Sequence, residues 1–506
     1  MLRTLRTPHA PQFASLFTPR RLSRRLSFVL LLAGILSAWA QFSIAASPAQ
    51  DAVSPSELAS QLSRLIASPP LADAHVGLVV TRLPGNEALF SHDADDFFVP
   101  ASNQKLLLSA AALTELGPGF RFRTLLFADA APEGSGVIHG NIYLKGYGDP
   151  TLDRSDLAAF VTALKKDGLR SIAGDLVADD SYFSGSPFGS GWLPEDLDKT
   201  FAAPACALSL EGNLLTVSVS PGARRGAKAQ VSVDPSSPLV SITNTCLTVK
   251  KDDRSWTSLC RLEGNSFRLS GRIAAGHDPI VRVITIRNPS LFTASVFAEM
   301  LKTARIKVNG QTRLGAVPEN AFPLATDFSP LLPQILSTMN KGSNNFFAEQ
   351  ILRTLGAEVN AVGDDLAGTQ AVVTFLDSML PGRPHPVLCD GCGLSTRNSL
   401  CPSLIAALLA RLPSAAYWKE FVNSLPVAGV DGTLKRRLKG TPAQGKIRAK
   451  TGSLEGVSAL SGYVMDADKP LLAFSLLTNG FSSPRSSIQH AEDEICLALC
   501  RYAQAP

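Results

Sequence analysis

The chain has 506 residues, 45% hydrophobic and 18% charged, with 38 Gly, 34 Pro and 8 Cys. This composition excludes a disordered chain, a collagen-like repeat and a coiled coil, and the length allows about two to four domains around a generous apolar core. The formal charge of +5 resides in the first 45 residues, whose six arginines and lack of acids leave −1 for the rest, so nothing indicates a surface for nucleic acid or another polyanion.

In chain order, residues 1–45 have the layout of an export signal. Arg20, Arg21, Arg24 and Arg25 form a positive region, 28–40 is apolar, and Ser43-Ile44-Ala45 supplies small residues for cleavage. The apolar stretch falls short of the roughly 20 residues a membrane-spanning helix needs. Ser23-Arg24-Arg25 hints at the twin-arginine pathway, with Ser27 where an aromatic is expected. The mature chain is therefore expected in the periplasm, where disulfides persist. All eight cysteines (206, 246, 260, 389, 392, 401, 496 and 500) follow the signal. Cys246 with Cys260 and Cys389 with Cys392 are candidate bridges, although the count leaves the map open. The Cys389/Cys392 pair lacks a second ligand pair at useful spacing, and the histidines show no HExxH pattern, so no metal is expected.

Periodicity predicts a helix over 54–67, then strands over 76–83 and 87–90 around Pro84-Gly85-Asn86. A helix opens at Pro100 and stops at Gly117-Pro118-Gly119. From 123 to 288 the pattern becomes short alternating runs at 140–145, 215–219, 230–233 and 280–286, with one strong helix at 155–166. Helices return at 290–303, 330–339, 344–355, 366–379 and 402–412. Strands at 446–450, 460–466 and 471–478 and a helix over 487–502 close the chain. The terminal strands need neighbours, and the 76–90 pair is the candidate. The expected architecture is thus α/β, an antiparallel sheet flanked by helices and built from both ends of the chain, with a large β-rich insertion. The expected division is 1–45 signal, 46–122 plus 290–506 catalytic, 123–145 plus 205–289 inserted, and 146–204 nested within the insertion.

Three short motifs carry chemistry. Ser102-Asn103-Gln104-Lys105 places a lysine one helical turn from a serine, so Lys105 reaches the hydroxyl. A serine becomes a nucleophile when a base takes its proton, and a lysine becomes a base when burial or nearby cations disfavour its charge. Ser343-Asn344-Asn345 offers a second hydroxyl and an amide able to bind a peptide bond. Lys450-Thr451-Gly452 ends a strand with a cation and a hydroxyl suited to a carboxylate. Gly452 permits close substrate approach, and the next N–H, that of Ser453, can stabilise an oxyanion. Each motif alone also reads as a helix cap, a snorkelling lysine or a strand end.

Together and in this order they resemble the serine penicillin-recognising enzymes. The closer resemblance is to class C low-molecular-mass penicillin-binding proteins, the D-alanyl-D-alanine carboxypeptidase/endopeptidase family, peptidase family S13. The segments from Gly146 to Leu152, Asp390 to Ser395, Pro426 to Leu434 and Leu460 to Tyr463 also match it. The long separation of the first two motifs suits its insertion, whereas a class A β-lactamase leaves roughly a quarter of that distance. The resemblance implies Ser102 as acylated nucleophile, Lys105 as general base and Ser343 as proton shuttle. Asn345 would bind the donor peptide, Lys450 and Thr451 the terminal carboxylate, and the N–H groups of Ser102 and Ser453 the oxyanion. It further implies that Asp196 and Phe201 recognise the amino end of a diaminopimelyl side chain, with Glu195 a competitor for the acid. Implied partners are peptidoglycan stem peptides and, as covalent inhibitors, β-lactams; no cofactor is implied. Cys392 stands where the family has Ser, and Thr396 displaces Arg397 by one place. A β-lactamase or esterase on the same scaffold, and a non-enzymatic wall-binding or antibiotic-sensing protein, are the competing readings.

Overall fold

In a computed structural model, which describes residues 53–132 and 134–504, the two ends of the chain build one sheet. The five antiparallel strands run in the order Ile447–Leu454, Val457–Asp466, Lys469–Asn479, His75–Arg82, Glu87–His92. The early strand pair does lie beside the C-terminal strands, Val79 opposite Ser475. Both faces are covered. Helices Pro55–Ile66 and Arg485–Gln504 place Leu58, Leu62, Ile488 and Ile495 against Leu78, Val80 and Leu476. Helices Gln104–Glu115, Leu332–Gly342, Asn345–Asn360, Asp365–Met379 and Pro402–Arg411 form the other core with Ala459, Tyr463 and Leu477.

Helix Gln104–Glu115 is buried from Gln104 to Leu113, which places it at the centre of this layer. The helix expected to open at Pro100 begins instead with a 3-10 turn over Ala101–Asn103. No side chain caps it, so Ser102 is not spent as an N-cap.

The intervening region forms separate sheets. One has the order Thr312–Leu314, Leu176–Asp179, Ile142–Gly146, Arg123–Ala128, Phe322–Phe328. Two more contain Leu214–Ser220 and Ser266–Ala274 at their centres. Helices Arg154–Lys166 and Pro289–Thr303 seal this core through Leu157, Phe160, Phe292 and Phe297.

The expected boundary at 290 falls inside this core. The chain leaves on Arg123–Ala128 and returns on its antiparallel neighbour Phe322–Phe328, stitched where Ser329 N donates to Phe122 O at 3.0 Å. Likewise 146–204 has no core of its own, since its strand Leu176–Asp179 lies in the same sheet as Ile142–Gly146. Hydropathy reports that a helix is amphipathic, and not which core it meets.

Neither candidate disulfide forms, and all eight cysteines are free thiols. Cys246 is buried while Cys260 is exposed, and Cys392 Sγ turns toward Asp390 Oδ2 at 3.6 Å. Among the described residues no helix is long and apolar enough to cross a membrane. The signal expected over 1–45 lies outside the described residues.

Candidate active site

The turn bearing Ser102 is forced into place by close backbone approaches. Ala101 adopts a left-handed φ of 45°, unusual for a residue with a Cβ. Gly393, itself at φ 81°, passes so near that a Cβ there would stand 1.9 Å from Ala101 O. On the other side a Cβ on Gly452 would lie 2.9 Å from Pro100 O and 3.1 Å from Ala101 Cβ. The glycine of the third motif therefore serves first to let its strand press against the serine turn. Asn103 Nδ2 fastens the two by donating to Lys450 O at 3.0 Å.

Lys105 is fully buried, and its Nζ lies 2.9 Å from Ser102 Oγ, 2.9 Å from Asn345 Oδ1 and 2.6 Å from the Cys392 carbonyl. Burial lowers its pKa from the ordinary lysine value, against the pull of Cys392, Asp390 and Glu349. Lys450 is equally buried and donates to Ser343 Oγ at 2.9 Å and to Thr451 O at 2.8 Å. Burial, reinforced by the neighbouring Lys105, pushes its pKa well below the usual value.

Ser343 sits at φ 52° between helices Leu332–Gly342 and Asn345–Asn360. The capping side chain of the second helix is Asn344, which accepts from Phe347 N at 3.2 Å and leaves the Ser343 hydroxyl for Lys450. Thr451 Oγ1 donates to Thr433 Oγ1 at 2.7 Å, bringing the Pro426 to Leu434 segment to the site. Ion pairing of Lys341 with Asp431 at 2.5 Å secures that loop.

All three motifs thus converge. A cleft of about 590 Å³ opens over Ser102, Ser343 and Asn345. Ser453 lines it, while Gly452 contributes through its backbone packing. Asp196, on the turn Pro194–Asp196, and the half-exposed Phe201 form one wall with Leu193 and Glu195. Asn345 Nδ2 donates to Phe201 O at 2.9 Å, tying that wall to the second motif. Glu195 borders the cleft as Asp196 does, so both acids face the same space. Thr396 lines the cleft, whereas Arg397 is exposed and outside its lining.

Sequence reasoning missed the support beneath this site. Glu349 is fully buried, and its Oε1 accepts from Gly391 N at 3.0 Å and Cys392 N at 2.8 Å, which aims the Cys392 carbonyl at Lys105. Desolvation, together with the charges of Asp390 and Asp365, raises Glu349 to about 8, far above the usual carboxylate range. Asp390 accepts from Gly393 N and Ser395 N, closing the loop on itself, and from Trp192 Nε1 at 2.9 Å. The only signal for Glu349 was an acid within a predicted apolar helix.

The D-Ala-D-Ala carboxypeptidase 3 (S13) family model matches residues 58–498. The chain is 34% identical over 467 residues to a D-alanyl-D-alanine carboxypeptidase of Actinomadura sp. (strain R39), covering 89% of this chain and 86% of that one. It is 28% identical over 418 residues to the D-alanyl-D-alanine carboxypeptidase DacB of Haemophilus influenzae, covering 81% and 86%. The crystal structure of penicillin binding protein 4 (dacB) from Haemophilus influenzae superposes with a TM-score of 0.76 at 26% identity, over 87% of this chain and 98% of that chain. A second structure of that protein, at 24% identity and TM-score 0.72 over 87% and 100%, is complexed with a β-lactam. With the family model spanning most of its length and this fold, the chain belongs to the S13 family of D-Ala-D-Ala carboxypeptidases, serine-type hydrolases.

Proposed function

We propose that the chain, exported to the periplasm, cleaves the D-alanyl-D-alanine bond of peptidoglycan stem peptides, or the cross-link between them, through an acyl-enzyme on Ser102. The observation that carries this reading is the set of partners around Lys105 Nζ. A neutral amine has two hydrogens and one lone pair. Lys105 Nζ donates to Ser102 Oγ, Asn345 Oδ1 and the Cys392 carbonyl, and the Ser102 hydroxyl donates to that carbonyl at 3.3 Å; once the amine is neutral, Asn345 Oδ1 and the carbonyl hold its two hydrogens and its lone pair turns to the Ser102 hydroxyl. A charged ammonium at the same place would lack any carboxylate bonded to it, and burial disfavours it.

Lys105 then takes the Ser102 proton as Oγ attacks the scissile carbonyl. The N–H groups of Ser102 and Ser453 stabilise the tetrahedral oxyanion. The C–N bond breaks, and the leaving D-alanine amine receives its proton through Ser343, which Lys450 orients. Water next attacks the ester, giving a proton to Lys105, which passes it to Ser102 Oγ as the ester bond breaks and the shortened peptide leaves as its carboxylate. Asn345 holds the donor peptide, and Thr451 with Lys450 holds the terminal carboxylate. Asp196, or its neighbour Glu195, receives the amino end of the stem side chain beside Phe201. A catalytic module at both ends of the chain, with residues 123–328 inserted, belongs to the same proposal. β-Lactams, one of which is bound in the Haemophilus influenzae relative, acylate the same serine.

The test is the intact mass of the purified protein with and without benzylpenicillin, alongside D-alanine release from a D-Ala-D-Ala peptide. A single adduct is expected in the wild type and none in Ser102→Ala, whose D-alanine release falls on the order of 10⁶-fold. Undiminished release by Ser102→Ala overturns the nucleophile, and fast nitrocefin turnover without D-alanine release overturns the substrate.

A further inference from the structure

We propose that His75, Asp93 and Asp96, with His92 beside Asp93, form a binding site for a divalent transition-metal ion of the zinc type, outside the cleft over Ser102. The four residues come from three places: His75 opens strand His75–Arg82, His92 ends Glu87–His92, and Asp93 and Asp96 follow in the segment leading toward Ser102. Antiparallel pairing brings the start of one strand beside the end of the other, a placement that sequence spacing does not reveal. His75, Asp93 and Asp96 each present a ligand atom, all within 4.8 Å of one another. His75 Nε2 stands 3.1 Å from Asp96 Oδ2 and 3.9 Å from Asp93 Oδ2, and His92 Nε2 stands 3.7 Å from Asp93 Oδ2.

The separations of His75 from Asp96 and Asp93 bracket what an ion requires, whereas His92 reaches Asp93 and stands outside that set of three. Bonds of about 2.0–2.2 Å to imidazole nitrogen and carboxylate oxygen place neighbouring donors roughly 3.4 Å apart. The imidazole of His75 between two carboxylates suits a transition ion of the zinc type, whereas magnesium and calcium favour oxygen ligands throughout. Two carboxylates balance the ion's charge. The donors are 42% to 60% exposed, so the ion has an open path to the site. A simple surface His–Asp pair occurs elsewhere, between His385 Nδ1 and Asp377 Oδ1 at 3.2 Å, and has no third ligand.

The site's position gives the ion a structural consequence. The His75 ring stacks on Phe98 with centroids 4.1 Å apart, Phe98 pairs with Leu400, and Val99 N donates to Asn479 Oδ1 at 2.8 Å. A bound ion would therefore fasten the strand ends to the segment that delivers the Ser102 turn.

Isothermal titration of the purified protein with Zn²⁺ alone, repeated with Mg²⁺, tests the site. One equivalent of Zn²⁺ is expected, with binding about tenfold or more weaker in Asp96→Asn and in His75→Ala, unchanged in His385→Ala, and no comparable heat from Mg²⁺. Asp96 is exposed, so Asp96→Asn keeps the fold even where loss of the His75–Phe98 stack disturbs it. Hydrogen exchange over residues 93–99 is expected to slow on zinc addition in the wild type and not in Asp96→Asn. Equal zinc affinity in wild type and Asp96→Asn, or equal response to Mg²⁺, overturns the site. Zinc binding without slower exchange overturns the fastening.

Discussion

The module built from both ends of the chain and the intervening region both bury large apolar cores, yet they hide different charges. Around Ser102 the first module encloses Lys105, Lys450, Glu349 and Asp390, all fully buried. The insertion encloses Asp149 and Asp179, and each is answered locally. Asp149 accepts from Thr151 N at 2.8 Å and Thr151 Oγ1 at 2.6 Å, and Asp179 meets Lys145 at 3.0 Å. Lys105 and Lys450 instead face neutral oxygens: a carbonyl, an amide and a hydroxyl for one, a hydroxyl and a carbonyl for the other. Burying an amine without a carboxylate partner is costly, and it is retained where a free lone pair is useful. The insertion's buried acids do ordinary work, holding loops and strand ends.

The contrast breaks most sharply at Lys105. Lys105→Met is expected to lower D-alanine release by about 10²–10⁴-fold while shifting the melting temperature by only a few degrees, because an apolar chain of similar length replaces a poorly solvated amine. Steady-state kinetics and calorimetry on the same sample check both halves. In the insertion the balance reverses. Leu144→Ala empties a fully buried position at the centre of the five-stranded sheet and is expected to cost about 2–5 kcal/mol, with activity per folded molecule kept. Denaturant unfolding with active-site titration measures this.

Acid titration sharpens the same comparison. Glu349 rises from 4.5 to about 8 in the folded protein, so between those values the folded state binds more protons than the unfolded chain. Its contribution therefore makes stability fall as pH rises, until the loss is complete above about 8. Glu349→Gln keeps an oxygen for Gly391 N and Cys392 N and removes the titration. Its melting temperature is expected to gain on the wild type steadily from pH 5 to pH 8. Asp149 rises only from 3.8 to about 6, chiefly by desolvation against the Thr151 hydrogen bonds. Asp149→Asn is expected to gain less, with the gain finished near pH 6. Thermal melts across pH 4 to 9 distinguish the two windows.

The three short motifs were legible because their pattern is local and ordered. Ser102 and Lys105 share a helical turn whatever surrounds them, and strand pairing of the two chain ends followed from unpartnered alternating runs. Asp196 and Phe201 could be named, and the structure brings them to the cleft together with Glu195. The loop support by Glu349, the capping by Asn344 in place of Ser343, and the contact of Thr433 with Thr451 left no periodic trace. Each depends on a partner 3 to 43 residues away whose direction the backbone sets. The boundary near 290 shifted for a related reason, since helix Pro289–Thr303 carries an apolar face that either core would accept.

By itself the amino-acid sequence marked Ser102, Lys105, Ser343 and Lys450 as candidates for nucleophile, base, proton relay and carboxylate binding, because such capacities reside in residue types and short spacings. It also determined that the two chain ends share a sheet, because alternating strands require neighbours. Only the tertiary structure decided that Lys105 is dry, that its amine meets three neutral acceptors, and that Gly393 and Gly452 squeeze the serine turn into place. Desolvation and close packing are properties of what surrounds a residue, and that surrounding is assembled from segments hundreds of positions apart.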